Sequence, residues 1–268
     1  MSGYFTKNDV YDKNGVLLLS KGQKMTDETI TRLRRHGDYK QEELVDFNSR
    51  QSVILTPVAK ELGVRMNIRD DRLLEQPNKI LSTIIFESKT KPWWIYVNAL
   101  SNYVDWLYTH SIDVAMISLM MAVELGYSGE ELFNIGLSAL LHDVGKLLVP
   151  KSIIQKPGNL TGMETSCIRQ HCELGMSSLE GFDFPKEYAD IIMQHHERLD
   201  GSGYPKGLKG EEICHNARIV MIADVVDAIT SFRPYRQPRN MDAAIRELRN
   251  GKEKYPQELI YLLEKILE

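Results

Sequence analysis

Leu141-His142-Asp143-Val144-Gly145-Lys146 sets a histidine and an aspartate side by side at the end of an apolar run, Ala139-Leu140-Leu141. A buried imidazole next to a buried carboxylate is costly unless something pairs with both. A divalent metal does so, because imidazole and carboxylate are ordinary nitrogen and oxygen ligands. The dipeptide alone is a weak signal, so the reading turns on whether other elements deliver partners.

They do. Trp93 to about Leu125 reads as one long helix, with Leu100, Tyr103, Leu107, His110, Val114, Ile117 and Met121 recurring at spacings of three and four. His110 lies within that apolar stripe. Gly126 and Gly129 interrupt the chain, and a helix from about Glu130 carries His142 and Asp143 at its C-terminal end, with Gly145 as its stop. Thr161-Gly162-Met163-Glu164 has the spacing of a capping box and opens a third helix. Its inward stripe contains Glu164, Ile168, His171, Gly175 and Leu179. Pro185 suits the first turn of a fourth helix, which ends in His195-His196-Glu197. A fifth, over residues 217–231, sets Asp224 in an apolar run with Asp227 about one turn on. An unpaired carboxylate there costs on the order of a few kcal/mol or is forced neutral.

The flanks are plainer. Residues 1–55 read as a small α+β unit: a strand at Val16–Leu19, a helix capped by Thr26 and stopped at Gly37, and a strand at Leu44–Phe47. Residues 56–92 read as a helical linker in which Pro77 opens the helix. This divides the chain into an N-terminal sensory or interaction part, 1–90, and a mainly helical part that carries the clustered histidines, 91–268. Met241 to Glu268 is amphipathic helix broken at Tyr255-Pro256.

Composition narrows the function. The 268 residues are 43% apolar with a net charge of -4, which speaks against a nucleic-acid polymer as partner. The C-terminal part carries the negative balance, so binding an anion there needs local cations or metal. The three cysteines, Cys167, Cys172 and Cys214, show no CxxC spacing, which fits unpaired thiols in a reducing cytoplasm. No signal peptide is visible. The apolar stretch Val114–Val123 is about half the ~20 residues of a membrane span and reads as core.

Five of the seven histidines (His110, His142, His171, His195 and His196) thus fall on inward faces or helix ends, joined by Asp143 and Asp224. These are more donors than one octahedral ion needs. They suit two ions sharing a carboxylate, roughly 3.5–4 Å apart, the apparatus of phosphoester hydrolysis by a hydroxide held between the ions. The donor set favours Fe or Mn over Mg or Ca, and zinc also accommodates it.

HDVGK at 142–146, HHERLDGSGYP at 195–205 and DVVDAITSFRPYR at 224–236 resemble the three signatures of the HD-GYP family, a subgroup of the HD phosphohydrolases, over roughly residues 95–250. The resemblance implies a mostly helical domain that hydrolyses the bacterial second messenger cyclic di-GMP to pGpG and/or GMP. It implies that His110, His142, Asp143 and Asp224 hold one ion, and that His171, His195 and His196 hold the second with Asp143 bridging. Lys146, Arg233 and Arg236 would neutralise phosphate charge, Lys146 also serving catalysis. Asp227 would support the site or lie near substrate. Tyr204 and its neighbours Gly203 and Pro205 would shape the loop beside the pocket. The partners allowed are a cyclic dinucleotide, a diguanylate cyclase (GGDEF) protein at the GYP loop, and a second copy of the chain in a homodimer. Trinuclear members carry a glutamate one turn before the first histidine. Here Trp106 stands there, with Asp105 beside it, so a binuclear site is expected. Three alternatives stand beside it: the same reaction on 3′3′-cyclic GMP-AMP, which the motifs do not separate from the first; a metal-bound signalling module with little turnover; and a general HD nucleotidase, which gives no reason for the complete GYP loop.

Overall fold

The computed structural model describes residues 59–268 apart from 69, 71, 183, 185 and 234–236, together with four short strands before residue 59. The chain divides into two compact units, Met1–Thr56 and Pro57–Glu268. In the first, β1 (Tyr4–Thr6) pairs antiparallel with β4 (Leu44–Asp46), and β2 (Val10–Tyr11) with β3 (Leu17–Leu19). The strands expected near 16–19 and 44–47 are thus present. The helix expected between Thr26 and Gly37 lies outside the described residues.

The second unit is helical. Its helices are α1 (residues 59–66), α2 (Arg72–Ser88), α3 (Trp94–Tyr103), α4 (Asp105–Glu124) and α5 (Gly129–Leu141). After a 3-10 turn at Val144–Leu148 come α6 (Lys151–Ile154), α7 (Gly162–Arg169), α8 (His171–Leu179) and α9 (Lys186–Gln194). Then follow α10 (His215–Thr230), α11 (Met241–Asn250) and α12 (Gln257–Leu267). Residues 57–90 belong with this unit, whereas the sequence reading groups them with the N-terminal part. The cause is burial: Leu62, Met66, Leu81 and Ile84 are sequestered, and α2 packs on α4 and α5.

Helix α4 is the central post, flanked by α2, α3, α5, α10 and α12. Its segment Trp106–Glu124 is long and apolar enough to cross a membrane, but 78% of the apolar window is buried inside the protein. The single helix expected from Trp93 to Leu125 is in fact two. Val104 is extended (φ -146°, ψ 121°) and buried, so α3 turns away from α4. The turn lets Tyr103 donate its hydroxyl to the Val149 carbonyl at 2.5 Å, next to the 3-10 turn. Pro77 also departs from expectation. It sits inside α2, where burial of Leu74, Pro77 and Leu81 along one face offsets the hydrogen bond that proline cannot donate.

The capping box expected at Thr161 forms, and the structure adds one at Ser128. Ser128 with Glu131 opens α5, and Thr161 with Glu164 opens α7. Glu164, however, pairs with Lys156 at 2.6 Å rather than facing inward, and Gln170 separates α7 from α8.

Gly145 does not end a helix in a left-handed conformation. It lies in the 3-10 turn because two backbones touch there. A Cβ at Gly145 would meet the His171 carbonyl oxygen at 1.9 Å and the Gly175 nitrogen at 2.4 Å. This approach brings Asp143 against α8, while Val144 packs with Leu179 and Ile192. We predict that Gly145→Ala lowers stability by about 1–3 kcal/mol and lowers bound metal with it. Chemical denaturation and metal analysis check this; wild-type values for both would mean that the close approach is not needed.

Candidate metal centre

Five elements meet around Asp143. His142 and Asp143 follow α5, His171 opens α8, His195 and His196 follow α9, and His110 and Asp224 project from the middles of α4 and α10. Asp143, His110, His142, His171, His195 and Asp224 are buried.

The imidazoles are aimed by their outer nitrogens. Nδ1 of His142 lies 2.6 Å from the Ala139 carbonyl, that of His171 2.7 Å from Ile168, and that of His195 2.9 Å from Ile192. Nδ1 of His110 lies 2.6 Å from Asp227 Oδ2. A carbonyl or carboxylate at Nδ1 holds the proton there and leaves Nε2 with a lone pair. These lone pairs converge. Nε2 of His142 is 3.3 Å from Nε2 of His110, and Nε2 of His171 is 3.3 Å from Nε2 of His195. Two facing lone pairs need a cation or a proton between them.

Asp143 spans the cluster. Its Oδ2 lies 3.3 Å from His110 and 3.4 Å from His142, and its Oδ1 3.3 Å from His171 and 3.9 Å from His195. Oδ1 is buried without a hydrogen-bond partner among the described residues. Asp224 spans it too, with Oδ1 3.3 Å from His110 and Oδ2 3.6 Å from Nδ1 of His196. His196 alone offers its Nδ1 inward, stacked on Tyr204 with ring centroids 4.7 Å apart. The donors form two groups, Asp143–His171–His195–His196 and His110–His142–Asp224, each with ligand atoms within 4.8 Å of one another. The orphaned carboxylate oxygen and the opposed imidazoles make this donor set fit divalent metal.

Electrostatics agree. Burial pushes the His171 pKa down to about 4, with the Lys146 charge adding to it, and burial lowers His195 and His196 well below the usual range. These rings are neutral and ready to ligate. Burial opposes ionisation of Asp143, but the Lys146 charge and the neighbouring histidines override it and hold the carboxylate ionised. Burial and the Arg233 charge oppose protonation of His110. Hydrogen bonds to Asp143, Asp224 and Asp227 outweigh both and raise its pKa to about 10.

The remaining expected residues surround this core. Lys146 Nζ lies 2.5 Å from Asp143 Oδ2 and lines a cleft of about 570 Å³ with Trp106, Asn159 and Arg233. The Arg233 guanidinium sits 4.4 Å from the Trp106 ring and donates to Asp227 Oδ2 at 3.2 Å. Asp227 touches His110 and Arg233. Tyr204 walls the His196 side, with Arg169 over its ring at 4.9 Å. Arg236 lies outside the described residues.

Three contributors escape sequence reasoning. Glu197 is buried and accepts the backbone N–H of Lys206 at 2.7 Å and of Leu208 at 3.0 Å, which folds the GYP loop back onto the site. Asp113, buried one turn after His110, could have been found by the argument that singles out Asp224, a carboxylate in an apolar run. Arg65, its partner at 2.5 Å, carries no sequence signal.

The match to known proteins agrees with this geometry. An HD domain model matches residues 95–259. The chain belongs to the HD-domain family. Among curated relatives, it is 47% identical over 128 residues to the cyclic di-GMP phosphodiesterase response regulator RpfG of Xanthomonas campestris, covering 47% of this chain and 34% of RpfG. It is 41% identical over 155 residues to a cyclic di-GMP phosphodiesterase of Thermotoga maritima, covering 57% of this chain and 42% of the relative. It is 37% identical over 175 residues to 3′3′-cGAMP-specific phosphodiesterase 1 of Vibrio cholerae, covering 63% and 41%. This HD-domain chain therefore spans under half the length of these relatives. The fold also resembles Bd1817, an HDG"Y"P protein of Bdellovibrio bacteriovorus (TM-score 0.54, 18% identity, 99% of this chain and 94% of that one).

The raised His110 pKa yields a pH prediction. In the metal-free protein the imidazolium pairing with its carboxylates stabilises fully below pH 6.5 and is lost as pH rises through about 10. A metal at Nε2 must displace that proton. Manganese binding near neutral pH should therefore release about one proton per chain. Calorimetric titration in buffers of different ionisation enthalpy measures this. A binding heat independent of buffer would show that His110 gives up no proton.

Proposed function

We propose that this chain is a metal-dependent phosphodiesterase that hydrolyses cyclic di-GMP to pGpG and/or GMP. The observation that carries the reading is the Asp143 carboxylate standing between two groups of inward-facing imidazoles, with Lys146 and Arg233 beside it on one cleft. His110, His142, Asp143 and Asp224 would hold one divalent ion, and His171, His195 and His196 the second with Asp143 shared. The nitrogen-rich donor set favours Fe or Mn. When bound, such a pair supplies a water acidic enough to ionise near neutral pH and neutralises charge on phosphoryl oxygens.

The chain's own residues do the rest. Asp143 holds the two halves in register. Lys146 swings between Asp143 and a phosphate oxygen in the cleft, and Arg233 meets the neighbouring phosphoryl charge. Trp106 stacks on Arg233 where a third-metal glutamate would stand, which supports a binuclear centre. Arg236 is assigned to the substrate by motif alone. The unpaired state of Cys167, Cys172 and Cys214 supports a cytoplasmic setting. A diguanylate cyclase at the GYP loop would meet exposed Ser202 and Lys206, since Tyr204 is engaged with His196. A homodimer is the remaining partner assignment.

A second reading, 3′3′-cyclic GMP-AMP as substrate, is favoured by the identity to the Vibrio cholerae relative. Anaerobic purification with metal analysis, then chromatography after incubation with each cyclic dinucleotide, tests both. Two Fe or Mn per chain with pGpG or GMP formed supports the first reading, and turnover of the mixed dinucleotide alone supports the second. Bound metal without product from either would leave a signalling module.

Two variants test the roles. His142→Ala combined with Asp143→Ala should abolish product and most bound metal; full activity would refute the assignment. Lys146→Ala should keep its metal while kcat falls about 100-fold. Unchanged turnover would remove Lys146 from the mechanism.

A further inference from the structure

Arg65 lies on α1, thirty residues before the region matched by the family model. One arm of its guanidinium reaches Asp113 Oδ2 at 2.5 Å. The other reaches Asp227 Oδ1 at 3.1 Å and the Ser231 hydroxyl, which itself donates to Asp227 Oδ1. The second oxygen of Asp227 holds His110 Nδ1 at 2.6 Å and accepts from Arg233 at 3.2 Å. Arg65 thus stands two contacts from the inward lone pair of His110. It also lines a small cavity of about 160 Å³ with His110, Trp106 and Arg233.

We infer that Arg65 is a positioning residue for the His110 half of the metal centre, acting by clamping Asp227. This rests on the phosphodiesterase reading to the extent that His110 ligates metal. Both carboxylates are buried, and Asp113 accepts from Arg65 through Oδ2, while its Oδ1 has no hydrogen-bond partner among the described residues. A buried three-charge cluster is poor packing compared with apolar side chains of the same volume. Its geometry, though, matches what a ligating histidine needs, a carboxylate held rigidly at the ring nitrogen away from the metal. The planar fork of arginine bridges two carboxylates at once, which a lysine ammonium does in a looser geometry. Because Asp227 also seats Arg233, the clamp orders a metal ligand and a substrate cation together.

The test uses the full chain, purified anaerobically as wild type, Arg65→Met, Arg65→Lys and the double variant Arg65→Met/Asp113→Asn. The double variant removes the carboxylate that Arg65→Met would strand, so it reads the effect on Asp227 should the single variant fold poorly. Manganese binding is measured by titration, and pairing of the two ions by their electron paramagnetic resonance signal. Arg65→Met and the double variant should lose affinity for one ion by at least tenfold, keep the other, and lose the coupled-pair signal. Arg65→Lys should fall between them and wild type, and kcat should drop more than KM changes. A merely structural Arg65 would lower thermal stability and leave both affinities and the coupled signal unchanged. Wild-type affinities in the double variant or in Arg65→Lys overturn the inference alone. A wild-type chain that binds no manganese overturns the metal-centre reading and the inference with it.

Discussion

The structure depends on one carboxylate. Asp143 is fully buried with four imidazoles and a lysine within reach of its two oxygens. Desolvating such a charge costs several kcal/mol or more by itself, so everything around it must repay that cost. Lys146 offsets part of it in the metal-free protein, and the raised His110 pKa shows a second cation recruited to the same place. Divalent ions satisfy the same demand with more charge and with ligand directions the imidazoles already have.

Those directions come from the helix ends. A helix leaves its last carbonyls without intrahelical partners. His142 and His195 follow immediately after α5 and α9, so each ring bonds back to a carbonyl of the turn it has just left. His171 does the same across the α7–α8 junction. Local geometry thereby sets the proton on the outer nitrogen of three rings before any tertiary contact. His110, mid-helix, has no such carbonyl free, because those around it are engaged in the helix ladder. It needs a side-chain acceptor, and Asp227 from another helix supplies one.

The consequence is an asymmetric centre. The His171–His195–His196 half is anchored by backbone and walled by Tyr204, with Glu197 bracing the loop behind it. The His110 half hangs on a chain of charges, Asp227, Arg65, Asp113 and Arg233, drawn from three helices and a loop. Side-chain networks of this kind are stiff when complete and fail together when one member is removed. Of the two cleft cations, Arg233 belongs to this half through Asp227, whereas Lys146 pairs with Asp143.

Much of this was legible in order along the chain. The helical class, the capping box at Thr161, the inward histidines and the buried Asp224 follow from spacing and from the cost of burying polar groups, which are local properties. Asp113 obeyed the same logic and was there to be found. The break at Val104, the interior Pro77 and the close approach at Gly145 were not legible, because each is a local preference overruled by a neighbour distant in sequence. Arg65 was invisible for the same reason: one arginine beside an apolar stripe has no distinguishing pattern until α1 meets α4 and α10. The sequence by itself determined which donors exist and that they must be paired. Only the tertiary structure decided how they divide into two groups across Asp143 and which distant charges hold them, because long-range packing sets the distances on which a Coulomb interaction depends.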